Sequence, residues 1–341
     1  SGGGLLLPRL IAIGDPDLGE QVGGALDPLG EEEPIPPAID PMRRQMLLAR
    51  MVQDVRPEVD AGQALQLGQA LGAVLDQMQV ERISPRALRD LDLSADLSRH
   101  WQVSLTLFEI LIARWPDELA RIGCIDLADR LNRLFDRLAD RWGAHPPPGF
   151  VAAAGISTTA PAVAPLLRRV SEMPRGLVGF AGLDQHMDAD AWDAIGPFDP
   201  DPVTGQRPPG HESHPQYALK RLLDRMSATR EDVAQWRWGS EHDARAVRGR
   251  NISNAMLPPR LTSRWRDLKT ADRSLAGVEA LELATPGEEA QAIAIALREA
   301  LETPGRTAAL VTPDRQLATR VSAHLRRWGI EADDSAGQPL S

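Results

Sequence analysis

The stretch that most limits the fold is "GFVAAAGISTTAPAVAPLLRRVSEMPRGLVGFAGLD", residues 149–184. An apolar run comes first, then a run of helical period with its prolines near the first turn, then a second apolar run. A two-residue turn folds a chain into an antiparallel hairpin, but a helix-length connection lays the second strand parallel to the first. The chain therefore reads as α/β, with part of a parallel sheet. In such sheets the ligand crevice lies at the C-terminal ends of the strands.

Before this unit the chain reads as helical from Pro41 to Trp142. Leu67, Leu71, Val74 or Leu75, and Met78 recur at helical spacing. So do Trp101, Leu105, Phe108, Ile112 and Trp115, and so do Leu127 or Ala128, Leu131, Leu134, Leu138 and Trp142. Each series is one apolar stripe, and such stripes are expected to pack into one small bundle. The aromatic residues in them read as core. "AHPPPG" stops the helical stretch, because proline cannot continue a helix. Upstream, "GLLLPRLIAIGD" reads as a strand and turn, and "DPLGEEEPIPPAIDP" as a loop.

A second α/β unit is expected from about Leu275. "GVEALELAT" and "RTAALVTP" read as strands, and "PGEEAQAIAIALREALE" and Pro313 to Trp328 as helices. A further extended piece opens at Ile330, and the sequence stops there. This reads as a portion of a longer polypeptide, as does the Ser-Gly-Gly-Gly start.

The 341 residues carry a net charge of −10, which argues against a surface that binds nucleic acid everywhere. The charge is uneven. Residues 207–273 hold 14 Lys and Arg against 8 Asp and Glu, as a basic stripe for a polyanion would. A solvated, Arg-rich helical surface has the same composition. Cys124 is the only cysteine, which excludes disulfides, Cys-based zinc sites and iron–sulfur clusters within this span. Its neighbourhood, "IGCIDLAD", reads as a buried helix entry, and the expected compartment is a reducing cytosol. Pro, Arg or Gly break every apolar run before it could span a membrane.

Missing chemistry narrows the function further. A P-loop needs a lysine after a glycine-rich turn, and neither Lys220 nor Lys269 follows one. A Walker-B carboxylate belongs at the end of an apolar strand. Here "FVAAAG" ends in Gly155-Ile156-Ser157-Thr158. The second strand ends before Asp184, Gln185 and His186, which could touch phosphate, water or DNA, or could form a turn and helix cap. Thr312-Pro313-Asp314 reads as a cap of the same kind. His211 and His214 flank Glu212 in a Pro-rich loop that reads as solvated. No nucleophile is paired with an activating base.

The order of these pieces resembles the first half of a superfamily-1 helicase fold. "LLLPRLIAIGD", "PPAIDPMRRQMLLARMV", "HWQVSLTLFEILIARWPDELA", "HPQYALKRLLDRM" and "GRTAALVTPDRQLATRVSAHLRRWGIEADDSAGQPL" are similar to the AddB subunits of alphaproteobacterial AddAB helicase–nucleases. The resemblance implies a RecA-like 1A domain at 1–40 and 146–273, interrupted by a helical 1B-like insertion at 41–145. The start of a second RecA-like domain would follow at 274–341. Gly155 and Ser157 would stand at a degenerate motif II, and Asp184 and Gln185 at a partial motif III.

The implied role is an ATPase-inactive guide for single-stranded or end-containing DNA in double-strand-break repair. An AddA-type helicase–nuclease partner would hold ATP and magnesium, and an iron–sulfur cluster would belong to a nuclease domain beyond this span. The implied DNA contacts are Arg9, Asp15, Thr158, Thr159, Gln185, His186, Thr312 and Arg315. A protein-interaction module, with the helical insertion docking the partner subunit, is the alternative.

Overall fold

The computed structural model describes residues 10–13, 33–90, 107–236, 246–273 and 277–337. The chain divides into two compact units, Ser1–Ser274 and Leu275–Ser341. Trp101, Leu105, Arg9 and Asp15 lie outside the described residues.

The first unit opens with helices α1 (Pro41–Val55) and α2 (Ala61–Val80). Asp40 caps α1 by accepting from the Arg43 amide at 2.8 Å. Asp60 and Gln63 form a reciprocal capping box on α2. The two helices approach closely at Gly68, where a Cβ would lie 2.8 Å from the Ala49 nitrogen. A π-helical turn, Ile110–Arg114, leads into α3 (Trp115–Ile122). Gly123, at φ +67°, ends α3 in the left-handed conformation that glycine adopts without cost.

Leu48, Val52, Leu71, Leu75, Ile110, and Trp115 form the core of this block. Truncating a side chain as enclosed as Trp115 costs about 3–5 kcal/mol. Cys124 is half-buried at the edge of this core. The base of the block is closed by a bridge in which the Ile39 amide donates to Ile125 O at 2.9 Å and the Ile125 amide to Pro37 O at 3.1 Å.

Helix α4 (Leu127–Ala144) carries the last of the apolar stripes, but it does not complete that bundle's core. Its Leu134, Phe135 and Leu138 pack with Val163, Leu166 and Leu167 of α5 (Val163–Glu172). Strands β1 (Val151–Ala154) and β2 (Gly176–Gly179) flank α5 in sequence and pair in parallel, Val151 opposite Gly176 and Ala154 opposite Gly179. The parallel strand–helix–strand pairing is thus present, and among the described residues the sheet has two strands. Residues 10–13, in the stretch expected to be a strand, are not paired in it.

A third core lies beyond β2. Helix α6 (Ala189–Asp193) and helix α7 (Tyr217–Arg225) bury Trp192, Ile195, Tyr217 and Leu223. The Trp192 ring has Arg230 at 5.0 Å and Lys220 at 5.4 Å from its centroid. Leu257 and Leu261 pack on this core and fasten helix α8 (Ala246–Ala255) and the 3₁₀ turn Pro259–Arg266 to it.

The second unit holds α9 (Pro286–Leu301) and α10 (Arg315–Arg326). Their N-caps are Thr285, which accepts from the Glu288 amide, and Asp314, which accepts from the Gln316 and Leu317 amides. Ala290, Ala294, Leu317, Val321 and Leu325 form the core. The expected strands at 277–285 and 306–312 are not strands here. A strand is held by a neighbour that satisfies its N–H and C=O groups, and these segments have none among the described residues. Val278, Leu281 and Val311 are exposed as a result.

Candidate functional site

The chain after β1 turns at Gly155, whose φ is +69°, and runs along a crevice of about 700 Å³. Gly155, Ser157 and Thr158 line one side of it, and Leu131 and Phe135 of α4 line another. The Thr158 hydroxyl accepts from the Ala160 amide at 3.1 Å, so it shapes the turn into α5. Thr159 is half-buried in the same turn.

The charged groups in this crevice neutralise one another. Both guanidinium Nη atoms of Arg44 reach the Asp76 carboxylate, at 2.9 and 3.0 Å. Arg44 Nε lies 2.8 Å from Asp126 Oδ1, and Arg44 Nη2 also donates to Gly72 O at 3.3 Å. The Nε contact is close but poorly aligned, so it is an ion pair rather than a directed hydrogen bond. Asp126 is 0% exposed, and its Oδ2 accepts from Trp115 Nε1 at 3.0 Å and Gln79 Nε2 at 2.8 Å.

These residues do not fit a magnesium–nucleotide. Gly155 to Thr158 bring no carboxylate, and the carboxylate that lines the crevice, Asp76, is committed to Arg44. Among the described residues no group of three His, Cys, Asp or Glu side chains is placed to hold a metal ion.

The end of β2 forms a separate place. Asp184 Oδ1 accepts from the His186 amide at 2.8 Å and the Met187 amide at 3.1 Å, which makes it a turn former. Gln216 clasps the same turn, accepting from the Asp184 amide and donating to Gly182 O, both at 2.9 Å. Arg230 Nη1 donates to the carbonyls of Asp184 and Met187. Gln185 Nε2 donates to Val233 O at 2.6 Å. The His186 ring lies against Gly249 of α8, where a Cβ would fall 2.5 Å from its Cδ2. Asp184, Gln185 and His186 are not among the residues that line the β1 crevice.

In the second unit, the Thr312 hydroxyl accepts from the Asp314 amide at 3.1 Å. Arg315 is bound bidentately to Asp334, at 2.9 and 3.0 Å. The Asp334 carboxyl lies below the usual carboxylate range because Arg315 donates to it, with the Ala336 amide adding to the effect. In the Pro-rich loop, His214 Nε2 lies 2.6 Å from Met256 O.

Sequence reasoning missed the Arg44–Asp126 network, because a single Arg beside Arg43 on an amphipathic helix carries no signal of its distant partner. It also passed over Trp265. The signal for that residue was its place between Arg264 and Arg266.

No family model matches this chain, and no curated protein or solved structure matches it. Among the described residues no helix is long and apolar enough to cross a membrane.

Proposed function

We propose that this chain is a helicase-like, DNA-guiding part of an AddB-type subunit that works on DNA ends in double-strand-break repair. In this reading 1–40 and 146–273 form a RecA-like domain, 41–145 an insertion, and 274–341 the start of a second RecA-like domain. The carrying observation is the parallel β1–α5–β2 unit, whose first strand end opens on a crevice with no free metal-holding carboxylate. A strand-end crevice is where such sheets meet ligands. One that cannot hold magnesium suits positioning rather than hydrolysis, and an AddA-type partner would supply ATP turnover.

Phosphates would be met by Arg side chains, by Thr158 and Thr159, and by the Gln185–His186 turn. Thr312 and Arg315 of the second unit are further candidate contacts, as are Arg9 and Asp15.

The test uses the whole chain with a tailed DNA end, read by fluorescence anisotropy across a salt series, alongside a phosphate-release assay. Salt-sensitive binding without ATP turnover is expected. ATP turnover abolished by Asp184→Ala, or no binding to any DNA end at low salt, would overturn the reading.

A second reading, docking of a partner subunit by the helical block, is favoured by Met42 and Met46. They are 61% and 51% exposed, one turn apart on α1. Exposed Met on one helix face suits a protein contact. If it holds, Met42→Asp with Met46→Asp weakens the complex with the AddA-type subunit and leaves DNA binding unchanged.

A further inference from the structure

The segment from Ala246 to Arg273 carries seven Arg and Lys residues against two Asp, in a chain that is acidic as a whole. It is held firmly in place. Leu257 and Leu261 pack on the Trp192 core, Asn251 Nδ2 donates to Ala271 O at 3.3 Å, and Arg273 donates to Leu268 O and Arg266 O. Three of its cations are already engaged. Arg264 pairs with Asp188 and Asp190, Arg273 holds those carbonyls, and Arg260 lies 5.5 Å from the Phe198 ring centroid.

Arg248, Arg250, Arg266 and Lys269 are exposed and form no ion pair among the described residues. Trp265, next to Arg266 in sequence, is 44% exposed, with its Nε1 donating to Asn254 O at 2.7 Å. That bond sets the indole against the C-terminal end of α8, one turn on from Arg250. Its only donor is used, so the ring surface is what it offers a ligand.

We propose that this block is a contact surface for single-stranded nucleic acid, with Arg250, Arg266 and Lys269 meeting phosphates and Trp265 stacking on a base. This rests on the DNA-guiding reading and assigns it a site on α8 and the turn after it, beside the His186 turn that follows β2. The chemistry favours that ligand over other polyanions. Arg forks match phosphate oxygens, and an anchored indole adds a platform for an unstacked base. A duplex keeps its bases stacked, and an acidic peptide has no base to stack.

The experiment is an anisotropy titration of the whole chain with a labelled oligothymidylate of about 15 nucleotides, a length such sites cover. It is repeated over a salt series and with an equal-length duplex and polyglutamate as competitors. Arg250→Ala with Arg266→Ala should weaken binding at least tenfold and reduce the log–log salt slope by about 1.4. Trp265→Leu should weaken binding about fivefold or more with the slope unchanged, and Trp265→Phe should restore part of it. Melting curves confirm that each variant is folded, and Trp265→Phe stands in if Trp265→Leu is not.

Oligothymidylate binding that none of these variants changes would overturn the proposal while leaving the DNA-guiding reading in place. Failure of the unaltered chain to bind any single strand would overturn both. Equal competition by duplex or by polyglutamate would overturn the single-strand assignment and point to a general polyanion or an acidic protein.

Discussion

Arg44 Nε and Asp126 Oδ1 lie 2.8 Å apart, and they join the first helix of the helical block to the residue at which the chain leaves it. Asp126 is fully enclosed, and Trp115 and Gln79 hold its other oxygen. A buried carboxylate of this kind is held by its partners, and its removal strands them. Asp126→Ala should destabilise the first unit by about 3–5 kcal/mol in urea unfolding, because Arg44 loses a buried counterion. Replacing both residues together, Arg44→Met with Asp126→Leu, should cost less than Asp126→Ala alone.

Gly68 and Gly72 sit one turn apart on α2 and should respond to alanine in opposite directions. At Gly68 the new Cβ would meet the Ala49 backbone at 2.8 Å, so α1 and α2 would be forced apart at a cost of about 1–3 kcal/mol. At Gly72 the nearest atoms are side-chain ends at 3.5 Å. There the gain in helix propensity, up to about 1 kcal/mol, should dominate. Thermal melts of the two variants check this.

Burial pushes the Asp224 carboxyl above the ordinary carboxylate range. Lys220 draws it back, and Asp193 adds to the rise. The folded chain therefore takes up this proton more readily than the unfolded chain does. The ionised form costs stability at neutral pH, and that cost fades as pH falls through the folded-state value. Asp224→Asn should accordingly raise the melting temperature at neutral pH, with the gain vanishing near about pH 3.

Asp314 caps α10 through two backbone amides. Asp314→Ala should cost the second unit about 0.5–2 kcal/mol. Hydrogen exchange of the first-turn amides, which should speed up, reports the loss directly.

The sequence made the helices legible through their stripes. Leu71, Leu75 and Met78 are buried as their spacing requires, and so are Leu134 and Leu138. Spacing identifies a buried face but not what covers it. The α4 stripe is as regular as the others, yet it belongs with α5. The parallel pair was legible because a helix-length link leaves little alternative. The expected strands at 277–285 and 306–312 were not, because a strand is made by its neighbour as much as by its own residues.

At the site, Asp184 could be read equally as a ligand or as a turn former, and its carboxylate is spent on its own backbone. Asp126 was hidden for a similar reason. An aspartate at a helix entry reads as a cap, but this one gives α4 no capping hydrogen bond and is drawn inward by Arg44.

The bridge at Ile39 and Ile125 has a consequence for chain connectivity. The polypeptide leaves for the helical block and returns from it at two points already within hydrogen-bonding reach. A short turn could therefore join Ile39 directly to Ile125, given a neutral residue in place of Asp126, and leave β1, α5, β2 and α4 with their own contacts. In genetic terms the block could be exchanged or removed as one cassette, because its two ends meet at a single place in the fold.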